Sequence, residues 1–264
     1  MLNPRDCKFD IIILGGQSNA EGCGRGPVSN EFEPNDSILY MFDKRLMTLD
    51  DNGLHIVGCA DHPFVVETAK ERFDGDFLGD FSLTFADSYL KKGYLKGDRK
   101  LLIIRSALGG AGFQKGNWGL YDYLYLRLLA MLELALSWNK ENEVVAFLWH
   151  QGEHDAFERN IPSRYERQLT DLLKGVRQKA GVEMPFIAGD FVQDWKSKNL
   201  ESCNPIVDVI RKVTVDNARC GFVESVGLKS NDQTIANGDD IHFSRESLHF
   251  LGLRYFEKFE EITE

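Results

Sequence analysis

Unbroken apolar runs alternate along the chain with stretches in which apolar residues recur every three or four positions. The runs are Ile11–Leu14, Ile38–Phe42, Leu101–Ile104, Val144–Trp149, Phe186–Gly189 and Phe222–Val226. They show no apolar–polar alternation, which predicts strands covered on both faces. Helical spacing marks Asp80–Leu90, Tyr121–Trp138, Pro162–Lys179, Pro205–Asn217 and Glu246–Phe259. In the last of these, Leu248, Leu251, Tyr255 and Phe259 form one stripe with charged residues between them. Strands alternating with helices predict an α/β fold with a parallel sheet. Right-handed crossovers then give a three-layer, doubly wound domain with a mainly parallel sheet of five to six strands.

No repeat, low-complexity tract or linker divides residues 1–264, so a single domain is expected. Residues 44–79 hold no clear long element and predict a loop or small hairpin capping the site. The Tyr121–Trp138 stretch is apolar almost all round, but Asp122, Arg127 and Glu133 interrupt it. It therefore reads as a helix packed deep against the sheet, not as a membrane span.

Composition adds exclusions. At 264 residues, 43% hydrophobic and 27% charged, the chain has the make-up of a globular protein with a sizeable core. Its formal net charge is −10, and the densest basic stretch, Lys96 to Lys100, is short. Such a surface repels phosphate backbones, so no nucleic-acid partner is expected. The five cysteines are scattered, odd in number and without C-x-x-C pairing, which argues for free thiols in a reducing compartment. The opening MLNPRDCKFD lacks the features of a signal peptide, and no segment reaches about 18 uncharged apolar residues. The expectation is a cytoplasmic protein with no membrane partner; nothing in the sequence sets its oligomeric state.

Candidate chemistry begins at the end of the first predicted strand, in DIIILGGQSNAEGCGRG, residues 10–26. Ligands of open α/β sheets bind beyond the carboxyl ends of the strands, and Ser18 sits there. The turn matches no P-loop and no G-x-G-x-x-G fingerprint. It also fails the G-x-S-x-G elbow, since Ala20 stands where the second glycine belongs. On these residues alone, Ser18 and Asn19 serve equally as a helix cap. Three further stretches fall at strand ends or helix entrances: RSALGGAGF (105–113), FLWHQGEHDA (147–156) and NGDDIHFS (237–244). His150, Glu153 and His154 spell H-x-x-E-H, a zinc-peptidase pattern. The motif directly follows a buried-strand pattern, however, and contains Gly152, a poor helix residue.

Four blocks occur in order from residue 16 to residue 242: Gly-Gln-Ser-Asn at 16–19, Gly-Gly at 109–110, Trp-His-Gln-Gly-Glu at 149–153 and Asp-x-x-His at 239/242. Together they resemble the SGNH hydrolase superfamily, and within it the family 6 carbohydrate esterases and the sialate O-acetylesterase-like domain. Broader SGNH enzymes carry an asparagine in the third block, where this chain has Gln151 in the family 6 manner. The resemblance implies a flavodoxin-like fold and a serine esterase that removes acetyl groups from a carbohydrate, without metal or organic cofactor. It implies Ser18 as nucleophile, His242 as base and Asp239 as its orienting carboxylate; by spacing, Asp239 lies within one turn of His242, while Asp240, two residues before it, should point elsewhere. It implies an oxyanion site from the Ser18 N–H, the Gly110 or Gly109 N–H and the Gln151 amide, with Glu153 as an auxiliary of His242.

The expected partner is an acetylated carbohydrate, of the acetylxylan or O-acetyl sialic acid type. Arg25 or Arg105 is a candidate clamp for a sugar carboxylate, or a partner of an acidic residue. The alternatives are a non-catalytic carbohydrate-binding protein on the same fold, or an esterase or thioesterase for lipid-like acyl groups. Phe113, Trp118 and Trp195 lie in predicted loops, where they could stack on a sugar ring but read first as packing residues.

Overall fold

The computed structural model describes residues 3–29, 36–43, 47–50, 53–56, 64–68 and 80–264. Seven strands form the main sheet: β1 (Phe9–Gly16), β2 (Ile38–Asp43), β5 (Phe64–Thr68), β6 (Lys100–Ala107), β7 (Glu143–His150), β8 (Phe186–Gly189) and β9 (Cys220–Val223). Their order is β5-β2-β6-β1-β7-β8-β9. All neighbours are parallel except β5, which runs antiparallel to β2 at the edge. The six parallel strands are those the apolar runs predict, and β5 is an addition from the 44–79 region.

Alternation of side chains across β1 sorts the core into two layers. Ile11 and Ile13 face the helices α3 (Tyr123–Trp138), α5 (Pro162–Ala180) and α7 (Leu200–Asp216). Ile12 and Leu14 face α2 (Phe81–Lys91) and α9 (Arg245–Thr263). The helices start and stop where local chemistry dictates. Asp80 caps α2 by accepting from the Ser82 N–H, Pro162 opens α5 and Gly181 closes it at φ 69°. Three short helices complete the site-bearing end: α1 (Ser18–Glu21), α4 (Glu153–Phe157) and α6 (Gln193–Lys198), with α8 (Asn231–Ile235) before the last loop.

Two boundaries differ from the expected ones. β9 begins at Cys220, not Phe222, and Val226 is exposed beyond its end. Gly221 pairs with Ile187 within the strand, and Lys258 of α9 packs where its Cβ would be. The helix predicted from Pro205 starts at Leu200. Of residues 44–79, β3 (Met47–Asp50) and β4 (Gly53–Ile56) pair as a small antiparallel hairpin. Residues 44–46, 51–52, 57–63 and 69–79 lie outside the described residues, and with them Cys59 and His62. No helix among the described residues is long and apolar enough to cross a membrane.

Candidate active site

β1 ends in Gly15-Gly16 and turns at once into α1. Gly16 has φ +147°, and a Cβ there would lie 2.1 Å from the His150 carbonyl oxygen. Only glycine lets β1 run this close to β7, and Gln17 N–H then donates to that same carbonyl (3.0 Å). Ser18 is the first residue of α1 and is buried except for a 7% exposed edge. Its backbone N–H has no partner within the short helix, as expected of a first-turn donor.

Ser18 lines a cavity of about 330 Å³ together with Gly110, Glu153 and His242. His154, Phe157, Trp195 and Ile241 form more of its wall. Phe157 is 71% exposed at the rim, and Trp195, expected to be plain packing, also reaches the cavity. Phe113 and Trp118 are packing residues, both set against the Trp149 ring.

The loop from α8 to α9 brings His242 to the opposite wall. Its Nδ1 lies 2.8 and 2.9 Å from the two carboxylate oxygens of Asp239. A carboxylate only accepts, so Nδ1 carries the proton and Nε2 keeps its lone pair. Asp239 also accepts from Asn231 Nδ2 (2.8 Å). Burial alone would raise the Asp239 pKa, but the hydrogen bonds from Asn231 and His242 outweigh it and hold the carboxyl below its ordinary value. Asp240 pairs with Lys198 Nζ (2.9 Å) and not with His242, while still lining the cavity. Ser18 Oγ makes no hydrogen bond to His242 here; such contacts often close only on substrate.

The expected oxyanion donors separate cleanly. The Gly109 N–H is spent on Glu21 Oε2 (2.7 Å). Gly110, at φ +67°, has no partner recorded for its N–H and lines the cavity. Gln151 departs from expectation: it is fully buried and does not line the cavity. Its Nε2 donates to Asp155 Oδ2 (2.6 Å) and the Ala111 carbonyl (3.2 Å), with Gln17 Oε1 at 3.3 Å. An amide has two hydrogens, so none is left for an oxyanion; Gln151 instead ties the glycine loop to the end of β7.

Asp155 is the hub of that tie. Its buried carboxylate accepts from Phe113 N, Gln114 N, Gln151 Nε2 and Asn160 Nδ2. Asp155→Ala strands four donors in a dry core and is expected to cost about 3–5 kcal/mol. Thermal unfolding should show a Tm drop of about 10 °C; an unchanged Tm would remove Asp155 from this role.

Neither expected clamp lines the cavity. Arg105 Nη1 donates to the Glu21 carbonyl and its guanidinium lies over the Phe42 ring. Arg25 does not line the cavity, and its backbone N–H donates to Asn231 Oδ1 (2.7 Å). Among the described residues no group of three His, Cys, Asp or Glu is placed to hold a metal ion.

A family model described as carbohydrate esterase, sialic acid-specific acetylesterase (SASA), matches residues 8–261. The chain belongs to the SASA family of carbohydrate esterases. It is thereby a carboxylic ester hydrolase. Among solved structures the esterase is similar to NanS, with a TM-score of 0.72 and 17% identity over 99% of this chain and 98% of that one. A protein from Arabidopsis thaliana superposes with a TM-score of 0.68 and 20% identity, covering 96% of this chain and 98% of that one. A carbohydrate acetylesterase from Xanthomonas citri gives 0.67 and 16%, covering 96% of this chain and 56% of the other. At these identities the structures speak to the fold, which they share. No curated protein sequence matches the chain.

The roles that Asn19, Asn231 and Gln17 take in the esterase are not legible in its sequence. Asn231 braces Asp239 from eight residues away, and nothing in its neighbourhood marks it. Gln17 Oε1 accepts from His154 N (3.2 Å), joining the Ser18 turn to α4. Asn19, beside Ser18, looked like a helix cap; its side chain instead bonds Glu153 and the loop around His242.

Proposed function

We propose that the chain is a serine esterase that removes O-acetyl groups from a carbohydrate through an acyl-enzyme on Ser18. The observation that carries this reading is the Asp239–His242 pair, which opens on the same cavity as Ser18. With Nδ1 held by Asp239, His242 Nε2 takes the Ser18 Oγ proton as Oγ attacks the acetyl carbonyl. The carbonyl oxygen becomes an oxyanion, for which the Ser18 and Gly110 N–H groups are the donors the cavity offers. As the intermediate collapses, the bond to the sugar oxygen breaks and that oxygen receives the proton from Nε2. Water then repeats the sequence on acetyl-Ser18: His242 takes its proton, acetate leaves and Ser18 regains its hydrogen.

The cavity supports a short acyl group. About 330 Å³ suits an acetyl with part of a sugar ring. Exposed Phe157 at the rim offers a flat apolar face to that ring. The family description, with its sialic acid-specific acetylesterase, supports acetyl transfer from a sugar; acetylated xylan and O-acetyl sialic acid are the two substrate types to compare.

Acetate release should be measured on both substrates and on 4-nitrophenyl acetate, with Ser18→Ala as control. Acetate well above the control is expected on at least one of the two sugars. Nitrophenyl esters of increasing chain length should fall off in kcat/KM beyond acetate and propionate. A preference for long chains would overturn the deacetylase reading.

A further inference from the structure

The ring of His150, at the end of β7, is wholly buried between the edges of Phe81 and Phe243. Its Nδ1 lies 3.1 Å from the Tyr255 hydroxyl, and that hydroxyl donates to the Trp149 carbonyl (2.8 Å). A hydroxyl has one proton. Spent on the carbonyl, it leaves the Tyr255 oxygen as an acceptor, so Nδ1 of His150 carries hydrogen and Nε2 is a bare lone pair. That lone pair faces Glu153 Oε1 across 3.6 Å. Glu153 is equally buried, and neither His150 Nε2 nor Glu153 Oε2 has a hydrogen-bond partner.

The Glu153 carboxyl backs the cavity wall but exposes no surface, so an ionised carboxylate facing a lone pair there is repulsive and leaves two orphaned acceptors. One proton on the carboxyl removes both faults. Oε1 then serves as the carbonyl oxygen that accepts from Asn19 Nδ2 (2.8 Å), and a small rotation brings the acid hydrogen on Oε2 towards Nε2. Burial drives both groups the same way, raising the Glu153 carboxyl and lowering His150 to about 3. For Glu153 the hydrogen bonds from Asn19 and from its own backbone N–H, with the charge of His242, oppose the rise, and Asp190 adds to it. Tyr255, Tyr165 and Cys203 are the other titratable neighbours that sense Glu153.

We propose that His150 and Glu153 form a buried pair holding one proton, with Glu153 neutral, and that this pair positions His242 through Asn19. The inference rests on the reading of His242 as the base. Asn19 Nδ2 donates to the Ile241 carbonyl (3.2 Å) as well as to Glu153, and Oδ1 accepts from the Phe243 N–H (3.0 Å). One side chain thus grips the backbone on both sides of His242 while its own backbone follows Ser18. Glu153 fixes which end of that amide is which, because a flipped Asn19 would set its oxygen against two acceptors. Glu153 and His150 are positioning residues; they need touch no substrate.

The test is kinetic and spectroscopic, with 4-nitrophenyl acetate as probe and circular dichroism as a check of folding. Glu153→Ala should lower kcat by about 30- to 100-fold with little change in KM, the loss expected of a base displaced by about 1 Å. Glu153→Gln, which both accepts and donates, should rescue kcat to within about threefold of wild type and keep the acid limb of kcat/KM in place. Asn19→Ala combined with Glu153→Ala should be no worse than the more impaired single variant, since both act on one path. A Gln variant as impaired as the Ala variant would overturn the proposal, because a charge on Glu153 would then be at work. Should Glu153→Ala fail to fold, the Gln variant and imidazole nitrogen NMR still decide: His150 is expected as the neutral Nδ1–H form down to about pH 5. An imidazolium signal from His150 in that range overturns the pair. His242→Ala separates the two failures: activity surviving in it would sink the base assignment, while the His150 spectrum still reports on the pair.

Discussion

Ser18→Ala is expected to abolish turnover of 4-nitrophenyl acetate while leaving the fold intact. Removing the nucleophile of a comparable triad costs about 10⁶-fold in kcat, and what survives comes from oxyanion donors and binding. The oxygen lost makes no hydrogen bond within the protein, so its removal strands no partner and stability should stay within about 0.5 kcal/mol. His242→Ala should fall by a similar factor, because a serine hydroxyl at neutral pH is a poor nucleophile without its base. The double variant should be hardly worse than either single one, since the two act as a unit. The measurement is kcat with mass-spectrometric detection of acetyl-Ser18 in wild type. Activity within about tenfold of wild type in Ser18→Ala would place the nucleophile elsewhere.

The sheet was legible because its strands are buried on both faces, so each prints an unbroken apolar run. Ile11 to Leu14 alternate between two helical layers, and both layers demand apolar residues. β9 was misplaced because that condition lapses at the edge. Cys220 and Phe222 are only partly buried, and Gly221 reads as a breaker although Lys258 packs over its bare backbone. Edge strand β5 was not seen as a strand, since Phe64–Thr68 pairs on one side only and sits among residues with no helical or strand-like period.

At the site, sequence spacing served best where partners are close in the chain. Asp239 and His242 lie within one turn, and the alternative Asp240 points to Lys198 as its spacing suggests. Spacing says nothing of a side chain that has a choice of directions. Gln151 at a strand end can reach outward or inward, and the buried Asp155 four residues later draws it inward. Gly109 and Gly110 differ by one residue, yet only the acceptor on Glu21, far away in sequence, tells which N–H is spent. The roles of Asn19 and Asn231 were hidden for the same reason: their partners stand 134 or more residues away, or in a loop whose path depends on the fold.

Asp239→Asn should lower kcat by about 10⁴-fold with little effect on KM. The Asp239 carboxylate accepts from Nδ1 of His242 at 2.8 Å and so keeps the lone pair on Nε2, towards the cavity. An amide can instead donate to Nδ1, which would place the proton on Nε2 and leave no base for Ser18; it also offers no negative charge to the imidazolium that forms in the transition state. Asn231 can still donate to the remaining side-chain oxygen, so the loop keeps its anchor and the variant should fold. The wild-type carboxyl titrates below its ordinary value of 3.8, because hydrogen bonds from Asn231 and His242 outweigh its burial. The sign follows: a carboxyl with a lowered folded pKa stabilises the loop at neutral pH, and that contribution fades only as pH falls below about 4. Stability measured against pH should show a shallower decline below about pH 4 in Asp239→Asn than in wild type. A decline of the same steepness in both would mean that Asp239 is not the carboxylate held in this pair, and a kcat loss under tenfold would show that His242 does not depend on it.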